Sequence, residues 1–307
     1  MTRTARGYVP MLTFLAALWG SSYMFIKVAV EEIAPTAMIA GRLILAGAVL
    51  FGALAVQSGG IGAALAELRK VGRGGIVLGV INSALPFTAI AWGETHVESG
   101  IAGIANASVP IFVVLLALRF NPAERVTGWR LAGVLVGIAG VAVLAGLHPS
   151  GGWWAVAGVG AVTLASLCYA AANLYAQHHY TRVNVIALAA ATHCAAALMI
   201  LPFGLARLPS TTPSWKALAS VAALALLGTA VASLVHYRLV SWYGSSRTTM
   251  VTYLIPAFAL FYGVVILDEP LTANAVAGLL LILGGVALGS GLLRMRRREP
   301  VPAAPAP

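Results

Sequence analysis

The sequence predicts an all-α polytopic membrane protein of ten transmembrane helices, arranged as two inverted five-helix repeats with both termini in the cytoplasm. Three observations predict it. The 307-residue chain is 60% hydrophobic and only 9% charged, with a mean hydropathy of +0.91, whereas soluble domains carry about 25% charged residues. A pattern in the first half, Pro110, Glu124-Arg125-Val126-Thr127, Gly133 and Gly140, returns as Pro256, Glu269-Pro270-Leu271-Thr272, Gly278 and Gly285. From each Glu the Thr and both Gly recur at identical spacing, and the Pro-to-Glu interval differs by one residue. The basic residues, finally, fall on alternate connections.

A span needs roughly 20 apolar residues at about 1.5 Å rise each, so ten spans use nearly the whole chain and leave no room for a soluble domain. They are expected over 9–30, 35–57, 73–94, 98–119 and 127–147, then 152–177, 184–206, 217–240, 246–267 and 272–293. Turn-forming clusters separate them: Pro35, Ser58-Gly59-Gly60, Asn121-Pro122, Pro149-Ser150-Gly151-Gly152, Pro209 to Pro213 and Asp268-Glu269-Pro270. The segment from Ile61 to Arg73 reads as a short interfacial helix. Domain organisation follows: a first repeat over 1–150, a second over 151–293, and a basic, then Pro/Ala-rich cytoplasmic tail over 294–307.

With the N-terminus inside, inner segments hold Arg3, Arg6, Arg69, Lys70, Arg73, Arg119, Arg125, Arg130, Arg182, Arg294, Arg296, Arg297 and Arg298. Outer loops hold Arg207 and Lys216 beside Glu31, Glu32, Glu94, Glu98, Asp268 and Glu269. The positive-inside rule then places both termini in the cytoplasm. The net charge of +10 follows this membrane pattern, not a nucleic-acid-binding face. Arg3 and Arg6 before a long apolar run suit an uncleaved first span. Cys168 and Cys194, inside apolar segments, read as small hydrophobes, and no cofactor or metal is expected.

Inverted repeats are typical of secondary transporters, with a substrate site near the midplane between the copies. Polar residues within spans are costly unless they face the interior, and three precede a proline by four positions: Asn82 with Pro86, Asn106 with Pro110, and Thr252 with Pro256. A helical proline frees the carbonyl four residues earlier, so each place offers a carbonyl beside an amide or hydroxyl. These suit a substrate's polar groups, and equally a packing kink; the three prolines are the hinge candidates. Aromatic residues share this zone. Trp19 and Tyr23 lie on one helix face, as do Tyr169 and Asn173. With Phe87, Tyr253 and His236 they complete the candidate binding set. Trp153, Trp154, Trp215 and Trp242 read as interfacial anchors.

Lys27 is expected to snorkel to the outer surface, and deeper Arg42 to find Glu31, Glu32 or a helix-end carbonyl. His193 and His236 are expected to be neutral and hydrogen-bonded. All nine carboxylates fall at loops or helix ends, which leaves no buried acid as a coupling site and predicts a facilitative carrier or one coupled through a histidine. Gly133-xxx-Gly137 and Gly285-xxx-Gly289 suit close helix contact, as scaffold or dimer face, and the chain is expected to be a monomer or weak dimer.

Leu18-Trp19-Gly20-Ser21-Ser22, Arg42 and the paired Pro…Glu-x-x-Thr…Gly patterns resemble the drug/metabolite transporter superfamily in its ten-span EamA-type branch, over nearly all of the chain. Within it, the mid-span aromatics resemble the YddG-type aromatic amino-acid exporters of the bacterial inner membrane. The resemblance implies export of aromatic and other neutral amino acids, through a cavity walled by the first, third, fourth, sixth, eighth and ninth spans. It implies a small-molecule substrate and the lipid bilayer as partners, with no nucleic acid. The alternative is an exporter of drugs or other small metabolites. A membrane-embedded enzyme would need clustered acids, a metal motif or a nucleophile elbow, and no such pattern is evident.

Overall fold

In a bilayer the backbone must satisfy its own hydrogen bonds, and helix accounts for nearly all of the described chain. The structure, a computed structural model, describes residues 7–120, 129–145, 152–180, 183–243, 248 and 250–289. Glu124 and Thr127 of the first motif, the arginines at 3, 6, 125, 182, 294, 296, 297 and 298, and the tail lie outside the described residues.

The first half opens with α1 (Tyr8–Val30) and α2 (Pro35–Ser58). Pro35 starts α2, where its fixed φ suits the first turn, and Gly59 (φ 83°) stops it. The short α3 (Ile61–Val71) lies between Gly60 and Gly72. α4 (Arg73–Leu78) runs through a π-helical turn, Gly79–Ala84, into α5 (Leu85–Gly93). α6 (Ser99–Asn106) and α7 (Val109–Phe120) are separated by a turn at Ala107-Ser108, and α8 (Trp129–Ala145) follows. The second half has α9 (Gly152–His179), α10 (Val185–Leu205) and α11 (Trp215–Ala225). A second π-helical turn, Leu226–Val231, leads into α12 (Ala232–Tyr243). α13 (Val251–Ile266) and α14 (Ala273–Gly289) complete it.

Six of these stretches are long and apolar enough to cross a membrane: 8–30, 35–58, 73–93, 152–179, 185–205 and 215–236. Four shorter apolar helices accompany them. The expected span over 98–119 is broken at Ala107-Ser108, and the helix expected from 246 begins at Val251. Side chains such as Val56 (86% exposed), Leu198 (72%) and Phe203 (63%) face outward, as lipid-facing positions do.

The most extensive helix contacts all join one half to the other: α8 with α14, α2 with α10, α1 with α13, α5 with α9 and α6 with α13. Helices in lipid gain little from apolar burial against each other, so close backbone approach through small residues does the work. A Cβ on Gly285 would lie 2.5 Å from the Gly137 nitrogen and 2.6 Å from the Gly133 carbonyl oxygen. One on Gly140 would meet the Ile282 nitrogen at 2.8 Å. Gly133, Gly137 and Gly285 of the two glycine patterns therefore pack against each other within the chain. The Leu18-Trp19-Gly20-Ser21-Ser22 segment has the same role, since a Cβ on Gly20 would sit 2.4 Å from that of Phe258 on α13. Among the described residues, Gly284 has open space where a Cβ would go. Gly285→Leu should therefore collapse the folded yield in detergent, and Gly284→Ala should leave the melting temperature unchanged or raised. Equal effects of the two would contradict this packing.

Candidate functional site

Buried and half-buried aromatic and polar side chains from both halves meet within the bundle. Tyr23 of α1 accepts a hydrogen bond from the Asn106 amide of α6 at 2.7 Å. Ser166 of α9 donates to the Asn106 side-chain oxygen at 3.0 Å and approaches the Asn106 carbonyl at 3.4 Å. Asn106 thus ties three helices together. The carbonyl expected to be freed by Pro110 has acquired a hydroxyl neighbour, although Pro110 does not kink a helix. It stands at the second position of α7, where a missing N–H costs nothing. Pro86 lies inside the continuous helical run 73–93, just after the π turn, and Pro256 lies inside α13.

Arg42 of α2 is 5% exposed. It reaches neither Glu31, Glu32 nor a helix-end carbonyl: Nε donates to the Thr229 hydroxyl at 2.9 Å, and the guanidinium lies 4.0 Å from the Phe87 ring centre. Among the described residues no carboxylate lies within 4 Å of it. Thr229 stands in the second π turn and hands its proton to the Leu224 carbonyl at 2.9 Å. π turns widen a helix and leave carbonyls askew, which is why they concentrate at functional sites. Asn82 occupies the equivalent turn in the first half. Nothing in the sequence marks Leu226–Val231 as irregular, because no proline lies there, and Thr229 was missed for that reason. The remaining signal was a polar residue in a span.

Around Phe87 stand Tyr169 (ring centres 6.5 Å apart) and His193 (6.4 Å). His193 Nδ1 donates to the Ala189 carbonyl at 2.8 Å, which leaves Nε2 as the acceptor of a neutral ring. Trp19 pairs with His236 at 5.3 Å, joining α1 to α12. Tyr253 packs on the main core from α13, and Thr252 is half-buried in its first turn. Asn173, expected to share the Tyr169 face, is exposed.

At one end of the bundle, carboxylates of one half hold helix starts of the other. Glu32, after α1, accepts from Ser214 at the start of α11, through N at 2.6 Å and Oγ. Those bonds hold the Glu32 carboxyl below its ordinary value. Glu269, between α13 and α14, accepts from Ser99 N (2.7 Å), Ser99 Oγ (2.8 Å) and Gly100 N (3.0 Å). It fits because Gly263 carries no side chain: a Cβ there would overlap the carboxylate. Thr272, three residues on, caps α14 by accepting from Ala275 N at 3.1 Å. The second Glu-x-x-Thr pattern is therefore a pair of caps, one for each half.

Lys27 reaches the turn after α5. Its Nζ donates to the Glu94 and Val97 carbonyls at 3.0 and 2.8 Å, and lies 3.9 Å from Glu98. Nor is the chain free of buried acids, because Glu94 is fully buried and Glu269 is 9% exposed. Both are at helix ends, as read from sequence, but those ends are folded inward. Glu269→Ala should cost about 2–4 kcal/mol of stability by stranding charge-assisted donors, read as a lower melting temperature in detergent. Ser99→Ala should cost about 1 kcal/mol.

Comparison with known proteins places these features. The EamA-like transporter family matches residues 8–146 and again 156–291. A probable terminal-alkyne amino-acid exporter of Streptantibioticus cattleyicolor is 29% identical over 94% of this chain and 95% of its own. A probable amino-acid metabolite efflux pump of Escherichia coli is 25% identical over 92% and 94%. The uncharacterized inner membrane transporter YedA of the same organism is 27% identical over 84% and 83%. A solved crystal structure with 21% identity shares the fold, at a TM-score of 0.66 over 96% of this chain and all of that one. With its long apolar helices, the chain is a multi-pass inner-membrane protein. It belongs to the EamA-like transporter family.

Proposed function

We propose that the protein exports amino acids, aromatic and other neutral ones, by alternating access through the centre of a ten-span, inverted-repeat bundle with cytoplasmic termini. The observation that carries this reading is Arg42. A buried guanidinium is costly unless an anion meets it, and among the described residues none lies within 4 Å. A substrate carboxylate would satisfy it. Phe87, stacked beneath the guanidinium, and Tyr169 would then flank the substrate side chain. Asn106 and Tyr23 are tied to each other and act as the wall between α1, α6 and α9. Two relatives carry names of amino-acid exporters, which supports the same substrate class. Trp19, Asn82, Asn173, Thr252, Tyr253 and His236 are retained as further candidate contacts.

In proteoliposomes, labelled L-phenylalanine should exchange across the membrane. Unlabelled leucine should compete, and phenethylamine, which lacks the carboxylate, should not. Arg42→Gln should weaken the apparent affinity roughly 10- to 100-fold, the equivalent of one lost charged hydrogen bond at about 1.5–3 kcal/mol. Flux of another solute with none of any neutral amino acid would overturn the reading. Pro256→Ala, which gives position 256 the backbone N–H that proline lacks, should reduce flux more than folded yield. Pro110→Ala, at a helix start, should reduce it less.

A further inference from the structure

Glu94 is the most enclosed ionisable group among the described residues, with no exposed surface. It follows the last residue of α5, and neither carboxyl oxygen meets a hydrogen-bond donor. Charged groups from several elements surround it. Lys27 of α1 points its ammonium at the Glu94 and Val97 carbonyl oxygens. Glu269, from the turn after α13, and Arg42 of α2 are within electrostatic reach, as is the Tyr23 hydroxyl. His96 and Glu98 belong to the same turn, where Glu98 is 3.9 Å from Lys27 and His96 stacks on Trp154. Behind it, a Cβ on Gly93 would lie 2.9 Å from the Gly158 carbonyl oxygen, so α9 closes that side.

The two acids therefore have opposite surroundings. Both oxygens of Glu269 accept, from three donors, which is the hydrogen-bond pattern of a carboxylate. Glu94 has no donor and lies within electrostatic reach of that negative charge. An ionised carboxylate without hydrogen bonds is costly in a dry site, and a like-charged neighbour raises the cost. Lys27 offsets part of it, with its hydrogen bonds spent on backbone oxygens. Of two carboxyl groups within electrostatic reach of each other, the one without donors is the one that favours its proton.

We propose that Glu94 is a proton-exchanging carboxyl that must carry its proton for this end of the bundle to close. Opening admits water: the Oε–H bond breaks, its electron pair stays on the carboxylate, and the proton passes to water. The new charge repels Glu269 and holds α5 and α6 apart until a proton returns. Closure, and with it each transport cycle, thereby depends on pH. The coupling to flux rests on the transport reading above; the proton exchange does not.

Two measurements on the full-length protein test this separately. In infrared difference spectra, the purified wild type should show the carbonyl stretch of a protonated carboxylic acid that disappears in alkaline buffer. Glu94→Gln, equal in size and without a titratable proton, should lack it, and Glu94→Asp should shift it. In proteoliposomes at equal pH on both sides, L-phenylalanine exchange should fall several-fold as pH rises. Glu94→Gln should abolish that fall, because the amide mimics the protonated form. A carbonyl band indifferent to both substitutions would overturn the proposal, as would identical pH profiles for wild type and Glu94→Gln. If the wild type moves no phenylalanine, the amino-acid reading fails and the infrared result alone decides Glu94.

Discussion

The start of α6 is held by a carboxylate from the opposite half of the chain, and the geometry of the centre depends on that attachment. Glu269 occupies the two first backbone N–H groups of α6 and the Ser99 hydroxyl. Helix starts carry unsatisfied donors and partial positive charge, so an anion placed there is both cap and tether. Once α6 is held, Gly103 brings it against Ala259 of α13, where a Cβ would approach to 2.3 Å. Its last residue, Asn106, is then delivered to Tyr23 and Ser166. One loop residue thereby sets the position of an amide near the other end of the helix.

The same arrangement explains how a bundle with little apolar driving force between its helices stays together. Glycines let α8 meet α14, and α1 meet α13, at backbone distance. Beside these crossings stand two π turns, Gly79–Ala84 and Leu226–Val231, one in each half. Irregular backbone is tolerated at membrane depth only where protein or a water-filled cavity surrounds it. Arg42 joins the two kinds of feature, because it binds the hydroxyl of one π turn and stacks on the ring that follows the other.

Much of this was legible in the sequence, and the limits have physical reasons. Hydropathy located the apolar segments, since it reports which stretches bury themselves in lipid. Spacing located the glycine faces, because 3.6-residue periodicity governs which positions meet. The same periodicity is blind to a change in hydrogen-bond register, so the second π turn and the break at Ala107-Ser108 went unseen, and the first π turn showed only through the Asn82–Pro86 pairing. Pro110 pointed to an irregularity and misplaced it, because proline is as comfortable at a helix start as it is disruptive inside. Glu94 shows the other limit. Its place at a helix end was correct, yet whether such an end meets water is decided by Lys27, Glu269 and α9, which are distant in sequence. Arg42 stood out as a costly charge, and its partner Thr229 lies 187 residues away.

The central claim is that the middle of the bundle is a binding site for an amino-acid carboxylate at Arg42, and one structure tests it most directly. In an experimental structure of the full-length protein with L-phenylalanine, the account requires the ligand carboxylate within hydrogen-bond distance of the Arg42 guanidinium. The ligand ring should lie against Phe87 and Tyr169. A ligand bound elsewhere, with Arg42 paired to a carboxylate of the protein itself, would contradict it.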